Sequence, residues 1–450
     1  MQLATTSNFG SNSDTNTDIY FTGNPHITLY KKVYRRHTHF AVESIEHIYD
    51  DRATTNTNTR QYSIILSKSG DLINQMFFEI ELPIIASDNV SWVYGIGNAY
   101  IKKINLSIGG QVIDTLYGDW MNIWGELTTD NGHRETYDEM VGNYSNLSIG
   151  DDTGQGQRAG LPANVEQRLF VPLPFWFCRN VGQSLPLIAL QNAEIKLDFE
   201  FRPFNELYVV TNGTPTVTEK KINAHLWIDY IFLDNDERRR FSQVAHEYLI
   251  EQLQWNGGYN VNSTNLTRPV EMQFNHPIKE IIWANISNTH NTVSSVVDSC
   301  GNSWFNYAKS DNNYGVYEDD TFVSGRIVLN GQDKLTPRNA SYFRKVQNYE
   351  AHTNIPRTPS YNYTTNGGTS NTLHNINGGQ YIYTYSFALD PEEHQPTGTC
   401  NFSKLDTTYL NLTYDSGDVT GGKSYTLNIY VVNYNILRIQ GGQGGIAYSN

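Results

Sequence analysis

Hydrophobic and polar residues alternate with a period of two along much of the chain. Segment 193–201 shows this most clearly, because charged residues separate the apolar residues Ile195, Leu197, Phe199 and Phe201. The same alternation predicts further strands, with inward-facing residues Met76, Phe78, Ile80 and Leu82; Leu226, Ile228, Tyr230 and Phe232; Val270, Met272 and Phe274; and Tyr425, Leu427, Ile429 and Val431. Successive side chains of a strand point to opposite faces of its sheet. The pattern therefore predicts an all-β fold of antiparallel sandwiches.

Signals for helices are few and short. They fall at 117–127, 234–244 and 339–349. In the second of these, Asp234 is the predicted N-cap. Acidic residues occupy the first turn, where their negative charge interacts favourably with the positive end of the helix dipole. We place the boundary between the two domains at this second helix.

Long polar stretches rich in Gly, Asn, Ser and Thr separate the strands. They lie at 148–160, 285–320 and 353–379. Because connections of this length run over the surface of a compact chain, we expect them to be outer loops.

The order of features repeats once along the chain. Segment 107–111 is matched by 328–332, a short predicted helix follows each, and each half closes on a long alternating strand, at 224–233 and 425–437. The offset is about 200 to 220 residues, a size typical of one β-sandwich. The length of 450 residues alone allows two or three domains, and the repeat favours two copies of one sandwich.

The amino-acid composition restricts the cellular compartment and the binding partners that we expect for the chain. Lys and Arg number 32 against 46 Asp and Glu, a net charge of −14, which argues against direct nucleic-acid binding. Aromatic residues make up 13% of the chain, which argues against disorder. The cysteines Cys178, Cys300 and Cys400 are too widely spaced for a disulfide framework or zinc site, and indicate a reducing compartment. With no secretory signal or apolar span of roughly 20 residues visible, we expect a soluble protein.

Longer motifs are more specific than these patterns. The run Phe387–Ser403, FALDPEEHQPTGTCNFS, is accompanied by Thr22–Thr28, Val33–Thr38, Gly118–Met121, Trp227–Tyr230, Leu233–Phe241, Leu329–Gln332, Asn433–Arg438 and Gly444–Asn450. In these motifs, which span nearly the whole chain, the sequence resembles the major capsid proteins of nucleocytoplasmic large DNA viruses, a double jelly-roll family.

The resemblance implies two tandem eight-stranded jelly-roll sandwiches with short helices in loops, and a structural, non-enzymatic role. It implies a homotrimer whose six sandwiches form a pseudo-hexagonal capsomer that tiles the icosahedral shell of a large double-stranded DNA virus assembled in host cytoplasm. Neighbouring capsomers and minor capsid proteins are the implied partners. We predict an N-terminal arm at 1–23, a first jelly roll at 24–235, a linker helix at 236–245 and a second jelly roll at 246–450.

The resemblance also suggests where particular segments lie. Loops 285–320 and 353–379 are expected to cap the outer end of the capsomer, and the N-terminal arm to lie beneath, where it contacts an internal membrane. The predicted core anchors are Trp227, Phe199, Phe201, Phe387 and Leu427. Trp227 falls on the strand face opposite Leu226, so a place at an interface is its alternative.

Two motifs contain residues capable of chemistry. His37 and His39, which follow Arg35 and Arg36, have three possible interpretations: a pair of metal ligands, a basic contact for the phosphate headgroups of an internal membrane, or an ordinary strand. We favour the strand, because the sequence offers no third metal ligand beside them. The other motif is the triplet Glu392, Glu393 and His394. Its adjacent carboxylates on a proline-bounded turn do not converge across the roughly 5 to 10 Å that a shared substrate needs, so we interpret the turn as structural.

The clusters of charged residues are also interpreted as structural features rather than binding sites. Residues Arg238–Arg240 follow acidic residues directly, which favours a charged linker with salt bridges over nucleic-acid binding. The acidic residues Asp14, Asp18, Asp311 and Glu318–Asp320 lack EF-hand spacing and are interpreted as solvated loops rather than calcium sites. We therefore predict no catalytic, cofactor-binding or metal-binding residue.

Twelve N-x-S/T patterns occur, and the abundance of Asn makes many of them chance matches. Without a signal peptide, host secretory glycosylation is not expected, and viral enzymes are the alternative source of loop glycans. The twelve are Asn89, Asn105, Asn143, Asn146, Asn212, Asn262, Asn265, Asn285, Asn339, Asn362, Asn401 and Asn411. The rival function is a carbohydrate-binding or glycan-modifying β-sandwich, suggested by abundant Tyr and Trp, which explains neither the repeat nor the 387–403 run.

Overall fold

A computed structural model of the chain describes residues 30–32, 37–49, 59–87, 89–143, 159–210, 217, 221–261, 267–294, 301–309, 320–357, 360–361, 373–374, 380–415 and 423–448. The chain falls into two units, 1–40 and 41–450, and the sheets described below belong to the second.

The first half of the large unit contains twelve strands among its described residues. One sheet has the order β1-β12-β3-β8, with β9 also paired to β3, a second has the order β2-β10-β5-β6, and a small third sheet is β11-β4-β7. Strands β1 to β12 are Phe40–Tyr49, Arg60–Ile65, Leu72–Leu82, Val90–Val93, Ile101–Ile108, Gln111–Tyr117, Ala159–Pro162, Gln167–Pro172, Leu185–Pro186, Ile195–Phe201, Tyr208–Val210 and Asn223–Leu233.

The second half has two comparable sheets. One has the order β13-β24-β15-β21, with β22 on β15 and β25 on β24, and the other has the order β14-β23-β16-β17, with β18 on β16; β19 pairs with β20. Strands β13 to β25 are His246–Val261, Thr267–Glu271, Pro277–Ser287, Ser324–Leu329, Gln332–Asp333, Arg338–Asn339, Ser360–Tyr361, Leu373–His374, Ile382–Ser386, Cys400–Asn401, Thr408–Thr413, Tyr425–Gln440 and Gln443–Ile446.

The two halves share one topology. When the eight equivalent strands of each half are numbered 1 to 8 along the chain, the two sheets have the orders 1-8-3-6 and 2-7-4-5 in both halves. Eight strands in two such antiparallel sheets form a jelly roll, in which the first and last strands of the domain pair with each other. The predicted double jelly roll and its internal repeat are confirmed.

The matched segments 107–111 and 328–332 are equivalent hairpins. Each contains a two-residue turn, formed by Gly109 and Gly110 between β5 and β6 and by Asn330 and Gly331 between β16 and β17. All four turn residues have positive φ, at 59° and 84° in the first turn and 50° and 75° in the second. Such turns match the twist of paired strands and require Gly or Asn, which explains the recurring sequence.

The helices are short connections. Helices α1 to α6 are Ile96–Tyr100, Gly118–Thr128, Arg134–Val141, Trp176–Arg179, Asn235–Gln243 and Gln347–Ala351, with 3₁₀ turns at Val181–Gln183, Leu187–Ala189, Phe204–Glu206 and Phe402–Lys404. The predicted helices at 117–127 and 234–244 correspond to α2 and α5, and the Asp234 side chain accepts the Asn235 N–H at 2.7 Å. The third, 339–349, is a π-helix at Tyr342–Val346 that continues into α6.

Burial follows the predicted alternation in most strands. In β10 every second side chain is buried, including the predicted anchors Phe199 and Phe201, and Leu427 in β24 is also fully buried. Phe387 is half-buried against the core. Trp227 is not a core residue, because it lies half-buried on the outer face of β12 and donates its indole N–H to Glu79.

The alternation fails where both faces of a sheet are covered. Tyr430, predicted to face outward from β24, is buried because its ring packs 5.6 Å from Trp120 of α2. The central strands β15 and β24 are thus enclosed on two sides, since the first half packs against the outer face of their sheet. Glu79 of β3, predicted to face water, is a different case, because side chains of the neighbouring strands cover it: Trp227 of β12 donates to it and Arg168 of β8 lies 3.3 Å away.

Candidate functional site

The two jelly rolls meet in a polar buried contact, here called the junction, whose centre is Arg357. This residue follows α6 in the second half, and its guanidinium lies between two carboxylates of the first half. Nη2 is 2.7 Å from Glu126 Oε1 on α2, and Nη1 is 2.6 Å from Asp138 Oδ2 on α3. Nη2 also donates to the Tyr94 hydroxyl at 3.2 Å. One side chain therefore ties three elements of the first jelly roll to the second.

The central carboxylate depends on its cations. Glu126 is fully buried, which by itself would raise its pKa, but Arg357 and Arg134 more than offset the burial and hold the pKa below its usual range. The backbone N–H of Arg357 also donates to Glu126 Oε2 at 3.3 Å. A buried ion pair of this kind is costly to break, because the remaining charge is left without a partner.

A second part of the junction comes from the segment 301–309. Asn302 donates its side-chain amide to the carbonyls of Asn205 and Tyr208, at 3.0 and 3.1 Å. The indole of Trp304 donates to the Glu206 carbonyl at 2.9 Å, and the Arg202 guanidinium lies 4.3 Å from the Trp304 ring centre. Side chains of this second-half segment thus cap backbone groups of the first half.

These contacts show that parts of the predicted outer loops are buried between the two jelly rolls. Within 285–320, residues 285–287 belong to β15, and most of 301–308 is buried because Trp304, Phe305 and Tyr307 face the interior. Within 353–379, the Asn354 backbone N–H donates to the Leu127 carbonyl at 2.9 Å. Most of 301–308 and the backbone of Asn354 therefore lie at the junction, whereas Val293 and Ile355 are exposed. Residues 295–300, 310–319, 358–359, 362–372 and 375–379 lie outside the described part of the chain, so the placement of these loops at the outer end of the capsomer stays a prediction.

A third part of the junction is a row of buried charges. Arg179 of α4 is 2.7 Å from Glu251 Oε2 on β13, and the same oxygen is 2.8 Å from the fully buried Nζ of Lys279 on β15. Nearby, Asp114 of β6 accepts the backbone N–H of Leu253 at 3.1 Å. Burial raises the pKa of Asp114 to about 7, so this carboxyl titrates near neutrality.

The triplet Glu392, Glu393 and His394 is divided between a partly buried contact and the exposed surface. Glu392 accepts the Thr353 backbone N–H at 3.0 Å and lies 3.0 Å from His352 Nδ1, whereas Glu393 and His394 are exposed. The other ring nitrogen of His352 is 3.4 Å from Glu280, whose pKa is raised by burial. Glu392 thus fastens the start of the segment that carries Arg357, which agrees with the structural interpretation of the turn.

Among the candidates that the structure describes, His37, His39 and Asp320 do not converge on one point. The rings of His37 and His39 are 5.8 Å apart and exposed, and Arg35 and Arg36 are outside the described residues. Within the described ranges no three His, Cys, Asp or Glu side chains converge as metal ligands. Asp320 pairs with Arg344 at 2.6 Å instead, and the other predicted acidic loop residues, Asp14, Asp18, Asp311, Glu318 and Asp319, lie outside the described part of the chain.

Arg238, a basic residue of the predicted linker helix, makes a salt bridge with Asp71, which is distant in the sequence. On α5, Arg238 Nε is 2.9 Å from Asp71 Oδ1, and the other Asp71 oxygen accepts the Leu233 N–H at 2.9 Å. Arg239 and Arg240 are on the same exposed helix. Asp71 thus holds both the end of β12 and the helix that follows it.

Burial separates the glycosylation patterns into classes. Asn143 donates to Asp138 at 3.1 Å and Asn285 donates to Thr321 at 2.9 Å, and both asparagines are buried, so neither can carry a glycan in the folded chain. Asn89 and Asn339 are exposed, and Asn105, Asn401 and Asn411 are half-buried. Asn146, Asn212, Asn262, Asn265 and Asn362 lie outside the described residues.

The sequence did not reveal the junction residues. Arg357 and Glu126 are 231 positions apart, and no local periodicity links them. The one available signal was the occurrence of large aromatic residues, such as Trp304 and Phe305, inside a stretch otherwise typical of a loop.

Two jelly rolls joined by a buried charged junction define a structural protein of the double jelly-roll class. Two family models match the chain: "Major capsid protein N-terminus" over residues 28–234, and "Large eukaryotic DNA virus major capsid protein" over 237–367 and 369–445. The chain therefore belongs to the family of large eukaryotic DNA virus major capsid proteins, and is a structural component of virions rather than an enzyme.

Individual relatives agree with this assignment. The major capsid protein of Pyramimonas orientalis virus is 38% identical, with 96% of each chain covered. That of Paramecium bursaria Chlorella virus 1 is 35% identical, covering 96% of this chain and 97% of the relative. A quasi-atomic model of the PBCV-1 virus capsid superposes with a TM-score of 0.69 and 32% identity over 94% of this chain and 100% of that one. Within the described ranges no helix is long and apolar enough to cross a membrane.

Proposed function

We propose that three copies of the chain assemble into a capsomer of pseudo-hexagonal outline that tiles an icosahedral capsid. The observation that carries this is the identical strand order of the two jelly rolls in one chain. Three chains of two sandwiches give six similar blocks around a threefold axis. A contact between the second jelly roll of one copy and the first of the next closes after three steps and leaves no open end.

The surface provides apolar groups for such contacts. Val181, Tyr349, Leu389 and Tyr448 are large side chains that remain between 60% and 78% exposed in the single chain. Obligate interfaces bury side chains of this kind, and repeated contacts between capsomers can each be weak. The junction contributes by holding the two sandwiches of each copy together during assembly.

The same proposal includes contacts of the capsomer with an internal membrane and with minor capsid proteins. Lys31, Lys32, Arg35 and Arg36 precede His37 and His39 in a stretch without acidic residues, which suits contact of the N-terminal region with the phosphate groups of an internal membrane. Minor capsid proteins would join neighbouring capsomers, and assembly would take place in host cytoplasm. The proposed bounds are an arm at 1–23, jelly rolls at 24–235 and 246–450, and a linker helix at 236–245.

Single-particle cryo-electron microscopy of the purified chain tests the proposal. We expect class averages with threefold symmetry and six lobes. Particles that contain only two lobes at micromolar protein concentration would contradict the trimeric capsomer.

A further inference from the structure

A pocket of about 250 Å³, open to solvent on one side, lies in the first jelly roll between β3, α2 and the segment that leads into α4, and is called the cavity below. Its wall is mainly apolar, with Met76, Met121, Trp124, Leu173, Pro174 and Cys178 among the lining residues. An apolar cavity of about 150 Å³ in a protein core is large enough to bind benzene. The present cavity can therefore hold one or two fused rings.

Arg179 and Thr128, two polar residues of the wall, already have partners within the protein. Arg179 is paired with Glu251 at 2.7 Å and lies 4.1 Å from the Trp124 ring centre. The Thr128 hydroxyl donates to the Trp124 carbonyl at 2.8 Å. Burial raises the pKa of the Cys178 thiol to about 12, so this side chain is uncharged at neutral pH. An anionic ligand would have to compete with Glu251 for Arg179, whereas a neutral ligand would leave that ion pair in place.

We propose that this cavity is a binding site for a small neutral aromatic molecule of one or two fused rings. Two methionines and a tryptophan in the wall favour a ring, because the flexible thioether adapts to its shape and contacts aromatic edges favourably. The burial of apolar ligand surface supplies the driving force.

A ligand in the cavity would support the junction. Met121, Trp124 and Thr128 of α2 line the cavity, whereas Asn122 and Glu126 of the same helix contact the second jelly roll. The Asn122 amide donates to Gln380 at 3.2 Å. A bound ring would therefore pack against the helix that holds Arg357, and binding to the folded state alone would stabilise it.

Titration of the purified full-length protein with benzene, indole and naphthalene tests the proposal, with calorimetry and thermal unfolding as readouts. Cys178→Phe places a ring in the cavity, and Val323→Phe adds one at an exposed position in the second jelly roll, outside the cavity. We expect saturable binding and a raised Tm for the wild type and Val323→Phe. We expect at least tenfold weaker binding for Cys178→Phe.

The absence of saturable binding of all three probes to the wild type would overturn the proposal. So would unchanged affinity in a Cys178→Phe variant that keeps the wild-type circular dichroism spectrum. Leu173→Trp provides a second cavity-filling variant should Cys178→Phe not fold, and the same loss of binding is expected for it.

Discussion

Replacement of Arg357 by methionine is expected to weaken the junction strongly. Methionine retains much of the apolar stem but removes the guanidinium, which contacts Glu126 at 2.7 Å and Asp138 at 2.6 Å. Glu126 is 1% exposed and would keep Arg134 as its cation. Removing one partner of a buried ion pair costs about 3–5 kcal/mol, because the remaining charge stays desolvated. We expect a loss of this order in the free energy of unfolding at pH 7.

The loss should depend on pH in a defined direction. The pKa of Glu126 in the folded wild type lies below its usual range, so its ionised form contributes stability above the unfolded pKa, and this contribution is lost as pH falls through the folded pKa. Without Arg357, Glu126 can take up a proton at mildly acidic pH at little cost. The difference between wild type and Arg357→Met should therefore shrink as pH falls from 7 towards 4.

Thermal and denaturant unfolding at pH 7 and pH 4.5 measures both effects. Arg326→Met is the matched control, because Arg326 pairs with Asp333 at 2.8 Å but both side chains are at least 40% exposed. An exposed pair contributes about 0–1 kcal/mol, so the control should be nearly silent. Equal losses in the two variants, or a loss below about 1 kcal/mol for Arg357→Met, would refute the role assigned to the junction.

Further substitutions test neighbouring parts of the structure. Burial raises the pKa of Asp114 to about 7, so its neutral form stabilises the fold at low pH and this stability is lost as pH rises towards 7; Asp114→Asn should flatten the dependence of Tm on pH between 4 and 8. His352→Gln should lower the Tm, because the imidazole contacts the buried Glu280 at 3.4 Å and Glu392 at 3.0 Å, and an unchanged Tm would contradict this. Peptide mass spectrometry of virion protein should find Asn143 and Asn285 unmodified, and a glycan on either would show that the folded chain exposes it.

The strands and their repeat could be predicted because their signals are local. In β10, Ile195 to Phe201 alternate in the sequence as they alternate in burial, since one face of the strand meets the core. The turn residues Asn330 and Gly331 were equally informative, because positive φ restricts the residues that fit. Both signals depend on neighbours only a few positions away.

The junction could not be predicted because it depends on contacts between distant segments. Tyr430 and Glu79 have the sequence pattern of outward-facing residues. Packing of α2 against its sheet buries Tyr430, and side chains of neighbouring strands bury Glu79. Segment 301–309 has a composition typical of a surface loop, yet Asn302 and Trp304 provide hydrogen bonds to carbonyls of the first jelly roll. Local composition carries no information about such a partner surface.

Native mass spectrometry of the purified chain at micromolar concentration tests the trimeric capsid block most directly. The expected result is one dominant species of about three times the chain mass of 51.2 kDa. A dominant monomer that retains the folded circular dichroism spectrum would contradict it.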